Sequence, residues 1–183
     1  QEVFDFQEMI KSLAAISSAQ AQERRQDFGI RVSGDFDQIY AGDELRLKQI
    51  LLNVLSNAHK YTPDGGRVLM EVFSNPAANG ITMMKFAVSD NGAGIEPEYL
   101  EKIFEPFCQG SNASGSTGSG LGLAITQNLV HLMNGSITVS STYGKGSCFT
   151  VELPLKRVEG AGFPAKNTQV VGDRDLRILL VDD

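Results

Sequence analysis

Apolar side chains recur every three to four residues in several stretches of the chain, which is the spacing of one helix face. The first such stretch includes Ile10 and Ile16 and ends in the charged run QERRQ. In the second, Asp43 can cap the helix, and Pro63 forces it to end near Tyr61. The predicted helices span residues 6–26, 43–61, 97–103 and 121–133.

Other stretches alternate between apolar and polar residues, as strands with one buried face do. The clearest contains Phe149, Val151 and Leu153 and forms a hairpin with the strand before it, around the turn at residues 143–146. The predicted strands span residues 28–32, 67–73, 81–88, 137–141, 148–153 and 176–181. Because helices and mostly hairpin-connected strands are intermixed, we predict an α+β two-layer sandwich.

The composition is that of a globular domain, with 183 residues of which 42% are hydrophobic and 21% charged. The net charge is −6 and no basic cluster is present, so nucleic acid is not expected as a partner. No apolar run approaches the roughly 20 residues that span a bilayer. Cys108 and Cys148 lack metal or redox spacing, which favours a reducing, cytoplasmic compartment. Since the first residue is Gln rather than Met, we expect the chain to belong to a longer protein.

The first segment with a chemical pattern is LLNVLSNAHKYT, residues 51–62, on the second predicted helix. Four polar side chains there share one helical stripe beside the apolar face. The stripe consists of Asn53, Asn57, Lys60 and Tyr61. Amide oxygens suit Mg²⁺, and an ammonium group suits phosphate. The alternative is a surface stripe of ordinary polar residues, and this segment alone favours neither interpretation.

Two further segments are rich in glycine and are weaker signals on their own. SDNGAGI, residues 89–95, follows a predicted strand, and its Asp90 could accept a hydrogen bond from an exocyclic amine such as that of adenine. Gly92 and Gly94 would let the backbone approach a flat ring, although a plain turn after a strand is the simpler interpretation. GSTGSGLGLAI, residues 115–125, opens the helix that follows, where unpaired amides can bind an anion. Such a loop can equally be a flexible connection.

The order of these segments along the chain resembles that of one protein family. An amide-bearing helix, then DNGAG, FEPF, GSGLGL and GKGSCF match in order and spacing the N, G1, F, G2 and G3 boxes of histidine kinases. The resemblance to their catalytic domain covers residues 4–155. It implies a Bergerat ATP-binding fold, in which a mixed, mostly antiparallel sheet is covered on one face by helices. It also implies ATP and Mg²⁺ as cofactors.

The resemblance assigns roles to the polar residues of these boxes. Asn57 would hold Mg²⁺, with Asn53 beside it near the phosphates. Lys60 and Tyr61 would contact phosphate and ribose. Asp90 would read the adenine amine.

Around these residues, the resemblance implies an adenine pocket, a phosphate loop and a mobile lid over residues 109–119, anchored by two phenylalanines. The residues assigned to these parts are Gly92, Gly94, Ile95, Phe104, Phe107, Gly118, Ser119, Gly120, Leu121, Gly122 and Leu123. Residues 144–149 match the last box and are expected to shape the hairpin.

The activity implied is phosphoryl transfer from ATP·Mg²⁺ to a histidine, with Asn53 and Lys60 in the catalytic set. Related gyrase, Hsp90 and MutL ATPases carry a glutamate at the place of Asn53, and an amide cannot activate water as that base does. Transfer to a protein is therefore favoured over hydrolysis. One alternative is an anti-sigma-type serine kinase of the same superfamily. Another is a nucleotide-binding module that regulates an assembly without turnover, because residues 109–120 contain no basic residue and Ser119 stands where threonine is usual.

Neither histidine lies in the HExxxP context of a phosphoacceptor. His59 stands where the family usually carries an aliphatic side chain and is expected to pack against the helices rather than touch nucleotide. His131 is expected to be structural or at the surface. The acceptor histidine is therefore expected on an upstream dimerisation domain built from helices.

The end of the chain resembles a second family. LRILLVDD is similar to the first strand of a response-regulator receiver, in which paired acids such as Asp182 and Asp183 help to bind Mg²⁺. The alternative is an acidic tail after a strand. We expect a catalytic domain over residues 1–155, a linker over 156–175 and the start of a downstream receiver over 176–183. That order is typical of a hybrid kinase, and the parent protein could be a membrane sensor.

Overall fold

The computed structural model describes residues 2–34, 39–108, 120–158 and 177–181, which form eight strands and four helices. The strands are β1 (Glu2–Asp5), β2 (Asp27–Ser33), β3 (Ile39–Gly42), β4 (Arg67–Pro76), β5 (Ile81–Asp90), β6 (Ser136–Thr142), β7 (Gly146–Arg157) and β8 (Arg177–Val181). The helices are α1 (Phe6–Glu23), α2 (Glu44–Tyr61), α3 (Pro97–Leu100) and α4 (Gly122–Leu132).

These strands form one mixed sheet in the order β1-β3-β7-β5-β4-β2-β8, with β6 also paired to β7. The strands β3 and β6 take successive stretches of the same edge of β7. Antiparallel hairpins join β4 to β5 and β6 to β7, whereas β2 runs parallel to β4. The predicted mixed, mostly antiparallel sheet is confirmed.

Side-chain caps fix where the first two helices begin. Asp5 Oδ1 accepts a hydrogen bond from the Glu8 N–H at 3.1 Å and starts α1. Asp43 Oδ1 does the same for the Arg46 N–H at 3.0 Å, which confirms the predicted cap of α2. This helix ends where the extended backbone before Pro63 begins. Within the described part of the chain, no helix is both long and apolar enough to cross a membrane.

The helices cover one face of the sheet, as expected. Alternate side chains along β4, β5 and β7 face the helices and are buried, and α1 contacts β2, α2 contacts β4 and β5, and α4 contacts β6. The fully buried side chains of this layer include Phe6, Leu51, Val54, Met70, Phe86 and Leu153. The opposite face carries ion pairs at the surface, namely Arg31 to Glu71 at 2.7 Å and Lys85 to Glu152 at 3.7 Å. The two-layer architecture is therefore confirmed.

Some elements differ from the sequence expectations. The strands β1 and β3 were not predicted, because each has four residues and neither shows an alternation long enough to indicate a strand. The helix predicted over residues 97–103 is shorter, since α3 ends at Leu100. The strand β7 continues to Arg157, which lies inside the predicted linker.

The last described strand extends the sheet at its far edge. β8 pairs with β2 in parallel, with Gly29 opposite Arg177 and Ser33 opposite Val181. The assignment of this strand to a receiver stays a prediction. Asp182 and Asp183 lie outside the described residues.

The His59 side chain is part of the core, with 2% of its surface exposed. Its Nδ1 lies 2.8 Å from Gln26 Oε1, and its ring meets Phe28 edge-on at 5.2 Å between centroids. The predicted packing role is confirmed, and His131 is exposed on α4. Burial, aided by the positive charge of Arg24, lowers the pKa of His59 from 6.5 to about 4.

The low pKa of His59 predicts acid sensitivity in the range between its two pKa values. Above pH 6.5 the imidazole is neutral in both states, so its contribution to stability is constant. As the pH falls towards 4, the unfolded state takes up the proton first, and we expect a loss of roughly 3 kcal/mol from this residue. Urea denaturation of the wild type and His59→Leu across this pH range measures the difference. Parallel pH profiles for the two proteins would contradict the assignment.

Candidate functional site

The polar stripe predicted on α2 borders the core. Asn53, Asn57 and Lys60 are partly buried, and Tyr61 is 46% exposed. The Lys60 ammonium lies 5.0 Å from the centroid of the Tyr61 ring. Because the adjacent stripe of the same helix is fully buried, these polar groups are presented at the rim of the domain from a rigid element.

Asn53 joins α2 to the beginning of α4. Its Nδ2 donates to Thr126 Oγ1 at 2.6 Å, and that hydroxyl donates to the Gly122 carbonyl at 2.9 Å. A Cβ added to Gly122 would lie 2.8 Å from Asn53 Oδ1, so a larger residue there would displace the Asn53 amide. Sequence reasoning did not identify Thr126. The sequence feature that could have indicated Thr126 is a polar residue one helical turn after Gly122, on the face of α4 that points into the domain.

Asp90 stands at the end of β5 with one carboxylate oxygen committed to the backbone. Oδ1 accepts hydrogen bonds from the Gly92 N–H at 2.9 Å and the Ser147 N–H at 3.3 Å. Burial raises the pKa of Asp90, against the lowering effect of those two hydrogen bonds. No residue in the described ranges donates to Oδ2, which therefore remains available to a ligand.

The glycines after Asp90 bring three backbone segments together. A Cβ on Gly92 would overlap the carbonyl oxygen of Tyr61, and one on Gly94 would overlap that of Thr142. Gly94 also has a φ of +67°, which favours glycine. The sequence suggested that these glycines make room for a flat ring, whereas in the structure they make room for neighbouring backbone. Gly146, which sequence reasoning did not select, packs in the same way against the Asp90 carbonyl.

Matched substitutions at two glycines separate backbone strain from close packing. Gly94 and Gly144 both have positive φ, at +67° and +79°, but a Cβ on Gly144 meets nothing within 4 Å. We expect Gly144→Ala to cost about 1 kcal/mol of stability. Gly94→Ala should cost at least about 3 kcal/mol, because its new methyl group displaces the Thr142 carbonyl as well. Chemical denaturation of the two variants measures both values, and equal losses would show that the close approach is unimportant.

The residues on either side of the predicted lid lie against each other. Phe104 is partly buried against the core, whereas Phe107 is 73% exposed and has a φ of +64°. The Phe107 N–H donates to the Gly120 carbonyl at 3.0 Å. The predicted lid, with Gly118 and Ser119, lies outside the described residues.

The remaining predicted residues contribute to packing around this site. Ile95 and Leu123 pack on the core, and the Ile95 N–H donates to Ser141 Oγ at 2.8 Å. Leu121 immediately precedes α4. Residues 144–149 form the turn and the start of β7. The Lys145 N–H closes the turn onto the Thr142 carbonyl at 2.9 Å, and the Gly144 N–H donates to the Ala93 carbonyl at 2.7 Å. The structure thus joins the α2 stripe, the β5 end and the start of α4 through direct contacts.

Comparison with known families gives a match over most of this region. The family model for histidine kinase-, DNA gyrase B-, and HSP90-like ATPases matches residues 42–157. The autoinducer 2 sensor kinase/phosphatase LuxQ of Vibrio vulnificus strain YJ016 is 36% identical over 186 residues, which cover 98% of this chain and 22% of that protein. The sensor protein TorS of Escherichia coli K12 is 34% identical over 182 residues, 100% of this chain and 19% of that protein. The chain thus spans about a fifth of the length of these curated relatives.

Solved structures of similar shape carry related descriptions. Full-length ShkA in complex with AMPPNP superposes with a TM-score of 0.69 at 32% identity, over 86% of this chain and 31% of that chain. The mycobacterial sensor histidine kinase MprB gives a TM-score of 0.66 at 27% identity, over 86% of this chain and 100% of that chain.

Proposed function

Because this chain belongs to the histidine kinase-, DNA gyrase B- and HSP90-like ATPase family, we propose that it binds ATP·Mg²⁺ and passes the γ-phosphoryl group to a protein histidine. Within that family it is a catalytic domain of the sensor histidine kinase type. The observation that carries the proposal is that the two oxygens of the Asp90 carboxylate have different hydrogen-bond partners. Asp90 Oδ1 is held by two backbone N–H groups, and Oδ2 has no donor among the described residues.

An adenine ring supplies the donor that Asp90 lacks. Its exocyclic amine can donate to Oδ2, and a carboxylate fixed on one side by the backbone offers that acceptor in a single direction. Partial burial of a carboxylate disfavours its charge, so a donor from a ligand or from water stabilises the free oxygen. The raised pKa of Asp90 is consistent with that effect of burial.

The phosphates fit the region between α2 and the start of α4. Asp5 and Asp43 cap the first two helices, but Leu121 precedes α4 with a side chain that cannot cap. The first N–H groups of a helix lack intrahelical partners and favour an anion. Together with the Lys60 ammonium they provide positive charge for the triphosphate.

A magnesium ion fits the amide chemistry of the α2 stripe. The described residues contain no cluster of three or more His, Cys, Asp or Glu side chains arranged to hold a metal. Mg²⁺ commonly takes few protein ligands beside phosphate oxygens and water, so the Asn57 amide oxygen suffices as the protein's contribution. When bound, the ion would neutralise charge on the phosphates.

Transfer is favoured over hydrolysis by the residue that begins the stripe. Asn53 carries an amide, which cannot take a proton from water, and its Nδ2 is tied to Thr126. In the transfer, an imidazole nitrogen forms a bond to phosphorus as the bond to the ADP oxygen breaks, so the domain must position both partners. We place the acceptor on an upstream dimerisation domain of helices, and a receiver downstream from residue 176.

A second candidate is a regulatory module that binds nucleotide without turnover. It is favoured by one observation, since residues 109–120 contain no basic side chain that could stabilise charge during transfer. The anti-sigma-type serine kinase has no such support, because the relatives above are described as sensor proteins and sensor kinases.

Reconstitution with an acceptor separates the two candidates. This chain, a helical fragment that carries the acceptor histidine, and γ-labelled ATP·Mg²⁺ should yield an acid-labile, base-stable phosphoprotein. A chain with Asp90→Asn serves as the control and should yield far less at an ATP concentration near the Kd of the wild type. Binding of ATP without any phosphohistidine would favour the regulatory module and would contradict the kinase proposal.

A further inference from the structure

The end of α2 is held from outside the helix. The last carbonyl groups of a helix have no intrahelical partner and must find other donors. At the end of α2, every backbone carbonyl from residue 58 to residue 63 accepts a hydrogen bond. In chain order the donors are Thr62 N, Gln26 Nε2, Arg24 Nη1, Ala93 N, Gln26 Nε2 and Gly66 N. Two surrounding segments supply most of these donors, one on each side of the helix end.

The first segment is the corner between α1 and β2, residues 24–26, and its central contact is Gln26. This side chain is 8% exposed, and its Nε2 donates to the His59 carbonyl at 2.9 Å and the Thr62 carbonyl at 2.7 Å. Its Oε1 accepts from His59 Nδ1 at 2.8 Å. Both ends of the amide are therefore used, and its orientation is fixed by the hydrogen bonds it makes.

The second segment is the loop that follows Asp90. The Ala93 N–H donates to the Tyr61 carbonyl at 3.2 Å, and Gly92 packs against the same carbonyl. The Gly92 N–H in turn donates to Asp90 Oδ1. A shift of the helix end would therefore move Tyr61 and the Asp90 loop together.

We propose that Gln26 is a positioning residue for the nucleotide, which it does not touch. Through the end of α2 it holds Lys60 and Tyr61 at the phosphates and ribose, and Asp90 at adenine. The inference rests on the proposed function. It also ties the site to α1, because the Gln26 N–H donates to the Ala21 carbonyl at 2.9 Å and so continues directly from that helix.

The test compares nucleotide affinity with stability. Gln26→Met removes every hydrogen bond of the side-chain amide, and Gln26→Glu keeps the acceptor for His59 but places an oxygen against the carbonyls of His59 and Thr62. Both should weaken ATP·Mg²⁺ binding by about tenfold at temperatures where the proteins are folded. They should also shift the backbone amide signals of Gly92 and Ala93 in NMR spectra. Val32→Ala, a buried truncation in the neighbouring strand, should lower stability without changing either readout.

Each outcome decides between a positioning and a merely structural role. If the Gln26 variants bind ATP·Mg²⁺ as tightly as the wild type once the folded fraction is considered, the inference fails. If they do not fold, Arg24→Ala decides, since this exposed side chain donates to the Lys60 carbonyl and can be removed without disturbing the core. It should weaken binding by about threefold, and unchanged binding would overturn the inference. Failure of the wild type to bind ATP would instead contradict the proposed function.

Discussion

Asp90→Asn is expected to weaken ATP binding about 100-fold while the domain remains folded. The asparagine keeps an oxygen for the Gly92 and Ser147 N–H groups, so the turn after β5 is preserved. The atom at the place of Oδ2 becomes an NH₂ group, which is a donor and cannot accept a hydrogen bond from the adenine amine. Isothermal titration with ATP measures the loss. Inosine triphosphate has an acceptor in place of that amine, so the variant should lose the wild type's preference for ATP over it.

The matched control for this substitution is Asp64→Asn. Asp64 is an exposed carboxylate in the turn after α2, so its replacement changes the net charge equally without touching Asp90. We expect its ATP affinity to stay within about twofold of the wild type, since an exposed charge is strongly screened. A loss of binding in both variants would indicate general electrostatics rather than recognition of the base. Retained ATP preference in Asp90→Asn would contradict the assignment of Oδ2.

The parts of the site that lie within one element could be predicted from the sequence. A period of 3.6 residues places Asn53, Asn57 and Lys60 on one stripe of α2, and the apolar residues beside them bury the other side. Asp90 was identified in the same way, as a carboxylate directly after an apolar strand. These inferences need only local geometry, and the structure agrees with the predicted positions, whereas the roles of the residues stay predictions.

Contacts between distant segments could not be predicted by such reasoning. Thr126 bonds to a residue 73 positions away, and Ser147 to one 57 positions away. Gln26 lies 33 residues before His59 and looked like the polar end of an amphipathic helix. Its burial depends on the parallel pairing of β2 with β4, which a local pattern does not specify. Sequence reasoning therefore missed the buried polar residues that support the candidate site, whereas it could select the residues at the surface of that site as predictions.

The glycines after Asp90 have a physical role in the structure that differs from the one predicted. Gly92 and Gly94 were selected because a nucleotide needs room, yet each is required where the backbone of Tyr61 or Thr142 comes close. The glycines thus fix the geometry of the Asp90 loop before any ligand arrives. Preorganisation of this kind would lower the entropic cost of the nucleotide binding that we propose, since the acceptor oxygen already has a fixed direction.

Asn57→Ala is expected to weaken ATP binding about 30-fold in the presence of Mg²⁺. The substitution removes the amide oxygen that we assign to the ion, and it leaves a helix-favouring residue on α2. The loss should depend on the metal. With EDTA present, the wild type should bind less tightly and come within about threefold of the variant, because neither then has a metal-mediated contact.

Ser56→Ala is the matched control on the same turn of α2. Ser56 is exposed and lies one residue before Asn57, which places its hydroxyl on a different side of the helix from the stripe. The ATP affinity should therefore be unchanged with and without Mg²⁺. Asn57→Asp replaces the amide oxygen with a carboxylate oxygen, which can also bind the ion. This variant should therefore retain more ATP affinity with Mg²⁺ than the alanine variant does. If Asn57→Ala loses affinity equally with and without Mg²⁺, the amide contacts the nucleotide directly, and the assignment of the ion to Asn57 is wrong.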